Sequence, residues 1–279
     1  MTKNNIIGLI GMGDMGHNVA KYLTKSDFKI VTNLDHRSKK SFDTAKSLNI
    51  EILELNDFVN RSNIIISIIP PSAAYETAKI ISDYSKKLSK PITYIDANAI
   101  SPKATLLIEN EFYISSFKSS KYIDGSIIGG PPSKSYKPRL YVSGKYAKEV
   151  LHLKSLAFDI INLGNVTHLA SSIKMCYASL TKGTSALLLS LILLADKLEV
   201  LNYLSEELEY SQKDTFDKII NSFPSISNKS HRWIAEMEEI ASTYVDKGLN
   251  PGVFDNASYM YRLLSENKKQ FSKLINENF

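Results

Sequence analysis

Three groups of residues in this sequence have the types and spacing to do chemistry. The first is Gly11-x-Gly13-x-x-Gly16, which continues the apolar run Ile6-Ile7-Gly8-Leu9-Ile10 without interruption. Behind it Val19, Ala20 and Leu23 recur at helical spacing, so the stretch reads strand, glycine turn, helix. Gly11 permits the tight turn, Gly13 lets the backbone approach a pyrophosphate, and Gly16 lets the helix pack on the strand. The helix start offers unpaired N–H groups to phosphates. Met12, Asp14 and Met15, inside the same turn, join the three glycines as candidate cofactor-binding residues. The second group centres on Lys174, in Ser171-Ser-Ile-Lys-Met-Cys-Tyr-Ala-Ser-Leu-Thr-Lys-Gly183. It shares a helical stripe with Tyr177 and Thr181, a polar line across an apolar helix. A buried lysine has its pKa lowered and can exchange a proton near neutral pH; a lysine that carries its amine from a domain boundary to solvent is the alternative. The third group is Gly129-Gly130, at the exit of the strand Tyr122–Ser126, where adjacent glycines expose backbone N–H groups and Pro131-Pro132 stiffen the chain beyond them.

The elements around these groups alternate. Phe28–Leu34 reads as a second strand, and its exit, Asp35-His36-Arg37-Ser38-Lys39-Lys40, would face an adenosine ribose. Ser41–Leu48 suits a helix and Ile50–Ile52 a short strand. Ile64–Ile69 is apolar on both faces and stops at Pro70-Pro71, as befits the centre of a parallel sheet. A helix over about 73–88, the strand Thr93–Asp96, the turn through Asn98 to Pro102 and a further helix come after it. Arg139–Gly144 and Asp159–Leu163 read as short strands around a helix from Ala147 to Phe158. Strand and helix in alternation imply an α/β Rossmann-type, doubly wound sheet. Beyond Val166 strand signals stop. Ser171–Leu198 is a long helix, and the remainder is helical with breaks expected at Pro224, Gly248 and Pro251. The expected division is a nucleotide-binding domain over residues 1–165 and an all-helical substrate and dimerisation domain over 166–279.

Composition narrows the function classes. The chain has 279 residues, 43% hydrophobic and 23% charged, and its net charge of +5 is dispersed. No basic block or arginine stripe tracks a phosphate backbone, so a nucleic-acid partner is not expected. His17, His36, His152, His168 and His231 lack ligand spacing, so no metal is expected. No Gly-x-Ser-x-Gly elbow supports nucleophilic hydrolysis. The one cysteine, Cys176, is expected in the core, and such sparse cysteine fits a reducing cytoplasm. The first strand begins too early for a secretory signal. The apolar run Ala186–Ala195 is short of the roughly 20 residues a membrane span needs, so no membrane partner is expected. Being apolar all round, that run must be buried, which predicts a homodimer formed through the helical domain.

In order along the chain, Gly11-x-Gly13-x-x-Gly16, Ile69-Pro70-Pro71, Asp96-Ala-Asn-Ala-Ile-Ser-Pro102, Asp124-Gly-Ser-Ile-Ile-Gly-Gly130 and Lys174 resemble the β-hydroxyacid dehydrogenases. That group includes 3-hydroxyisobutyrate dehydrogenase and the nucleotide domain of 6-phosphogluconate dehydrogenase. The resemblance covers roughly residues 5–185 and is more specific than any single motif. Further on, His231–Ile240 and Asn250–Phe254 resemble a phosphogluconate dehydrogenase-like branch with its own helical domain and no defined substrate. The resemblance implies an NAD(P)-dependent oxidoreductase that moves a hydride between the nicotinamide and a small hydroxy or oxo acid. Lys174 would serve as general acid/base, and Gly129 and Gly130 would hold the carboxylate. Pro70 and Asn98 join the cofactor residues; Ser126, Tyr177, Lys182 and Arg232 join the substrate residues. Arg37 and Ser38 stand where a 2′-phosphate would lie, which favours NADP over NAD, while Asp35 argues for NAD. Arg232 and Glu236, four residues apart, would form an ion pair. Two positions depart from the family: Ile128 replaces a serine and Ala178 an asparagine. An imine reductase is the alternative within enzymes, although that group usually replaces the lysine. A nucleotide-binding sensor without turnover is the alternative outside them.

Overall fold

The computed structural model describes residues 6–26 and 28–279. The buried run Ile6–Ile10 forms β1, and the glycine turn leads into α1 (Asp14–Thr24), whose Val19, Ala20 and Leu23 face the core. The chain continues through β2 (Lys29–Thr32), α2 (Lys39–Ser47), β3 (Glu51–Ile52), α3 (Leu55–Arg61) and β4 (Ile64–Ser67). Then come α4 (Ala74–Lys87), β5 (Thr93–Asp96), α5 (Pro102–Ser115), β6 (Lys121–Ile128), β7 (Arg139–Ser143) and β8 (Asp159–Asn162). Among the described residues these strands form one eight-stranded sheet in the order β3-β2-β1-β4-β5-β6-β7-β8. All neighbours are parallel except β6 and β7, which form an antiparallel hairpin.

The order reverses between β1 and β4, so the strands there leave a crevice at their carboxyl ends, where such sheets bind ligands. Alternate residues feed two cores. Ile7, Leu9, Ile66, Ile95 and Ile123 point to one face, and Ile65, Tyr94, Tyr122 and Phe112 pack on the other. The expected sheet class is therefore present, with local differences. β2 ends at Thr32 rather than Leu34, and the expected helix from Ala147 to Phe158 is a single 3-10 segment over Ala147–Leu153.

The chain divides into two compact units, Met1–Met175 and Cys176–Phe279. The long helix α6 (Leu169–Lys197) begins in the first and continues into the second. The second unit adds α7 (Leu201–Ser211), α8 (Lys213–Asp246), α9 (Gly252–Glu266) and α10 (Lys268–Asn278). Pro224 does not break the helix as expected but lies within α8. Phe223 and Ile226 on either side are each only 6% exposed, and their burial outweighs the roughly 3 kcal/mol a proline costs in a helix interior. Cys176 is exposed, not core. The run Ala186–Ala195 is buried on one side only: Leu187 and Leu194 are 67% and 56% exposed. By length and hydropathy α6 could cross a membrane, yet its first turn is hydrogen-bonded to the sheet.

Candidate active site

The three glycines of the turn are set differently from one another. Gly11 takes φ +101°, and a Cβ there would collide with the Ile68 carbonyl; a Cβ on Gly16 would collide with the Gly11 carbonyl. Those two glycines are fixed by close backbone approach. Gly13 differs, because a Cβ there would meet nothing within 4 Å. Open space therefore lies above the turn at the start of a helix, the kind of place where backbone N–H groups can meet an anion. Met12 is 5% exposed and belongs to the core, so only its backbone is available to a ligand, and Asp14 stands exposed in the first turn of α1.

At the β2 exit, Asp35 accepts from the Asn33 amide at 2.9 Å, and that amide also reaches the Leu53 carbonyl at 2.9 Å. Arg37 is exposed beside it, and Ser38 stands at the N-cap position of α2 without a side-chain capping bond. Pro70 is exposed at the β4 exit. Asn98 is 2% exposed. Its Oδ1 accepts from the Ile69 N–H at 2.7 Å, and its Nδ2 donates to Asp96 at 2.6 Å and Ser67 at 3.1 Å. The side-chain amide is fully engaged in holding the β4 and β5 exits together.

Beneath these exits lies a buried polar row that sequence reasoning missed. Ser67, Asp96, Asp124 and Ser143 are register partners across β4, β5, β6 and β7, and each is at most 1% exposed. Burial, reinforced by the Asp124 charge, pushes Asp96 up to about 7, and burial also raises Asp124. Asp96 accepts from the Tyr122 hydroxyl at 3.2 Å. The signal was present in the sequence: Tyr-Ile-Asp occurs at 94–96 and again at 122–124, and the sheet lays one copy beside the other.

Asp124 anchors α6. It accepts from the Ser171 hydroxyl at 2.6 Å and the Ser171 N–H at 3.0 Å, and from the Ser143 hydroxyl at 2.8 Å. Ser143 in turn accepts from the Ala170 N–H at 3.0 Å. Helix-start N–H groups have no intrahelical acceptor, so these bonds satisfy them. One turn later Lys174 donates to the Ile127 carbonyl at 2.6 Å. Strand and helix are thus tied at two matched points, 124 to 171 and 127 to 174. Burial lowers the Lys174 amine to about 8, so it carries a proton that it can give up near neutral pH. The next residues are Ile128 and the exposed turn Gly129-Gly130, with Gly129 at φ +119°. Ser126 is 1% exposed, and its hydroxyl finds no hydrogen-bond partner.

The remaining candidates belong to the second unit. Lys182 pairs with Glu236, at side-chain exposures of 13% and 16%, and lies 5.4 Å from the Trp233 ring centroid. Glu236 therefore takes Lys182 as partner rather than Arg232, which is exposed. The Tyr261 hydroxyl donates to the Lys182 carbonyl at 2.7 Å, and its ring meets Trp233 edge-on at 5.2 Å. Tyr177 is 47% exposed, and Ala178 is buried at 2%. Among the described residues no His, Cys, Asp and Glu cluster could hold a metal.

Two stretches of the chain match known families. Residues 6–99 match the family described as NADP oxidoreductase, coenzyme F420-dependent, and residues 195–264 match a domain of unknown function (DUF1932). An uncharacterized 28.5 kDa protein of Methanothermus fervidus is 27% identical over 266 residues, 93% of this chain and 99% of that one. Mycobacterium tuberculosis 3-hydroxyisobutyrate dehydrogenase, solved with L-serine, superposes with a TM-score of 0.71 at 15% identity over 99% of both chains. An imine reductase from Myxococcus stipitatus gives 0.55 at 16% identity over 98% of this chain and 100% of that one. In fold the chain is similar to 3-hydroxyisobutyrate dehydrogenase and, at a lower TM-score, to an imine reductase.

Proposed function

We propose that this protein is an oxidoreductase, preferring NADP to NAD, that interconverts the hydroxyl and carbonyl forms of a small anionic hydroxy or oxo acid. The observation that carries the reading is the Lys174 amine, held at the Ile127 carbonyl immediately before the Gly129-Gly130 turn and lowered to about 8. The residues present fit a dinucleotide: the open Gly13 cradle accepts the pyrophosphate, and exposed Arg37 and Ser38 suit a 2′-phosphate. When bound, that cofactor supplies or accepts the hydride. Lys174 gives its proton to the oxygen of a carbonyl being reduced and stabilises the negative charge that develops there; in the oxidative direction the neutral amine removes the hydroxyl proton. The turn at Gly129-Gly130 orients the acid through backbone N–H groups.

The leucines exposed on α6 support a homodimer. Leu180, Leu187 and Leu194 recur every seven residues at 69%, 67% and 56% exposure, a stripe that two copies would cover by packing the same face together. Light scattering of the wild type and of Leu187→Glu reads this: a stable monomer of 31.3 kDa in the wild type overturns it. The dispersed charge and single cysteine support a cytoplasmic setting. The decisive experiment measures NADPH consumption across a panel of 2- and 3-oxo acids and cyclic imines. Turnover of acids is expected. Turnover of imines alone moves the assignment to imine reduction, and tight nucleotide binding without turnover favours a sensor.

A further inference from the structure

We infer that the Tyr136 hydroxyl is a substrate-binding group that helps the Gly129-Gly130 turn select a carboxylate. The inference rests on the oxidoreductase reading and deepens it. The hairpin between β6 and β7 turns at its tip, where the Ser133 N–H donates to the Tyr136 carbonyl at 2.9 Å. It then folds back so that the Tyr136 hydroxyl lies against Gly129: a Cβ at that glycine would collide with the hydroxyl oxygen. Gly129 is required by its φ of +119°, whereas the tyrosine above it, being the end of an exposed side chain, marks a close contact rather than a second requirement.

Tyr136 is 45% exposed, although its hydroxyl is brought to a specific backbone position, and that hydroxyl makes no hydrogen bond among the described residues. A phenol placed against a turn of two exposed glycines is a donor aimed where an anion would rest. Ile128, the residue before the turn, contributes no side-chain donor, and Lys134, Lys137 and Arg139 on the same hairpin give the region positive charge. The Lys174 amine, bonded at Ile127, stands at the same strand end. A short acid fits this order: its carboxylate at Gly129, Gly130 and Tyr136, its reacting oxygen toward Lys174.

The test uses malonate, an unreactive dicarboxylate, and malonamide, its neutral counterpart. The protein is labelled with 15N-glycine, giving one amide signal for each of 12 glycines. Gly130→Ala, where a Cβ meets nothing within 4 Å, identifies the signal to follow. Malonate should move the Gly130 signal and malonamide should not. Tyr136→Phe, which keeps the ring and the fold, should weaken malonate binding about tenfold, the loss expected for one hydrogen bond to a charged group. A Gly130 signal unmoved by malonate, or equal affinity in Tyr136→Phe, overturns the inference. Binding that depends on Tyr136, in a protein that turns over no acid, would sustain it while removing the dehydrogenase reading.

Discussion

Asp96 and Asp124 stand side by side on neighbouring strands, each 1% exposed, and Asp96 keeps its proton up to a pH of about 7. An unfolded chain releases that proton near pH 4. Between those values the folded state holds a proton that the unfolded state has lost, so this group's contribution to stability is full below about 4 and is lost as pH rises through about 7. Asp96→Asn should flatten that part of the profile. Urea unfolding of both proteins at pH 5 and pH 8 checks it, and an equal pH dependence in the two would show that Asp96 is ionised throughout.

Lys174 gives a kinetic counterpart. As proton donor in reduction it must be charged, so kcat for reduction should fall as pH rises through about 8, while oxidation should rise through the same value. Lys174→Ala should cost roughly 10²–10⁴ in turnover. Nucleotide affinity should hardly change, because the glycine turn and Arg37 lie on other strands. Near-normal turnover removes Lys174 from the mechanism, and collapsed nucleotide binding makes its role structural.

A variant at Arg37 tests the proposed preference between the two nucleotides. A charged hydrogen bond to a 2′-phosphate contributes roughly 1.5–3 kcal/mol, so Arg37→Ala should lose about ten- to a hundredfold in NADP affinity and little for NAD. Fluorescence titration with both cofactors reads the difference. Equal losses, or tighter NAD binding by the wild type, would assign the ribose to Asp35 instead.

Lys182 and Glu236 form a pair whose removal should be far from additive. Lys182→Met leaves a mostly buried carboxylate without its partner, which costs about 3 kcal/mol, as does Glu236→Leu in the other sense. The double variant should recover much of that loss. Denaturant unfolding of the four proteins measures the coupling, and strict additivity would mean that each side chain acts alone.

The nucleotide half of the chain is legible in the sequence because its signals are local. A glycine triplet after an apolar strand, and Ile64–Ser67 with apolar residues on both faces, specify strand, turn and sheet centre within a few residues each. The bond that joins Asp124 to Ser171 spans 47 residues of sequence and has no periodicity to betray it. Pro224 reads as a break because a proline's effect on a helix is local, while the burial of Phe223 and Ile226 that outweighs it is tertiary. The α6 leucines read as buried all round because composition reports how apolar a helix is, not which side has a neighbour. Tyr136 gives no sign at all, since its place over Gly129 depends on how the hairpin folds back.

The two matched ties between β6 and α6 also bear on how such a protein can diverge. Asp124, Ile127 and Gly129 lie within six residues of one another and carry the helix anchor, the lysine's acceptor and the start of the glycine turn. An insertion between them would change the face or the level of everything beyond it. The hairpin tip at Lys134 and Ser135 is exposed and outside the ladder. Lineages are therefore expected to inherit Lys174 and its strand as one block, and to vary by lengthening or shortening that tip.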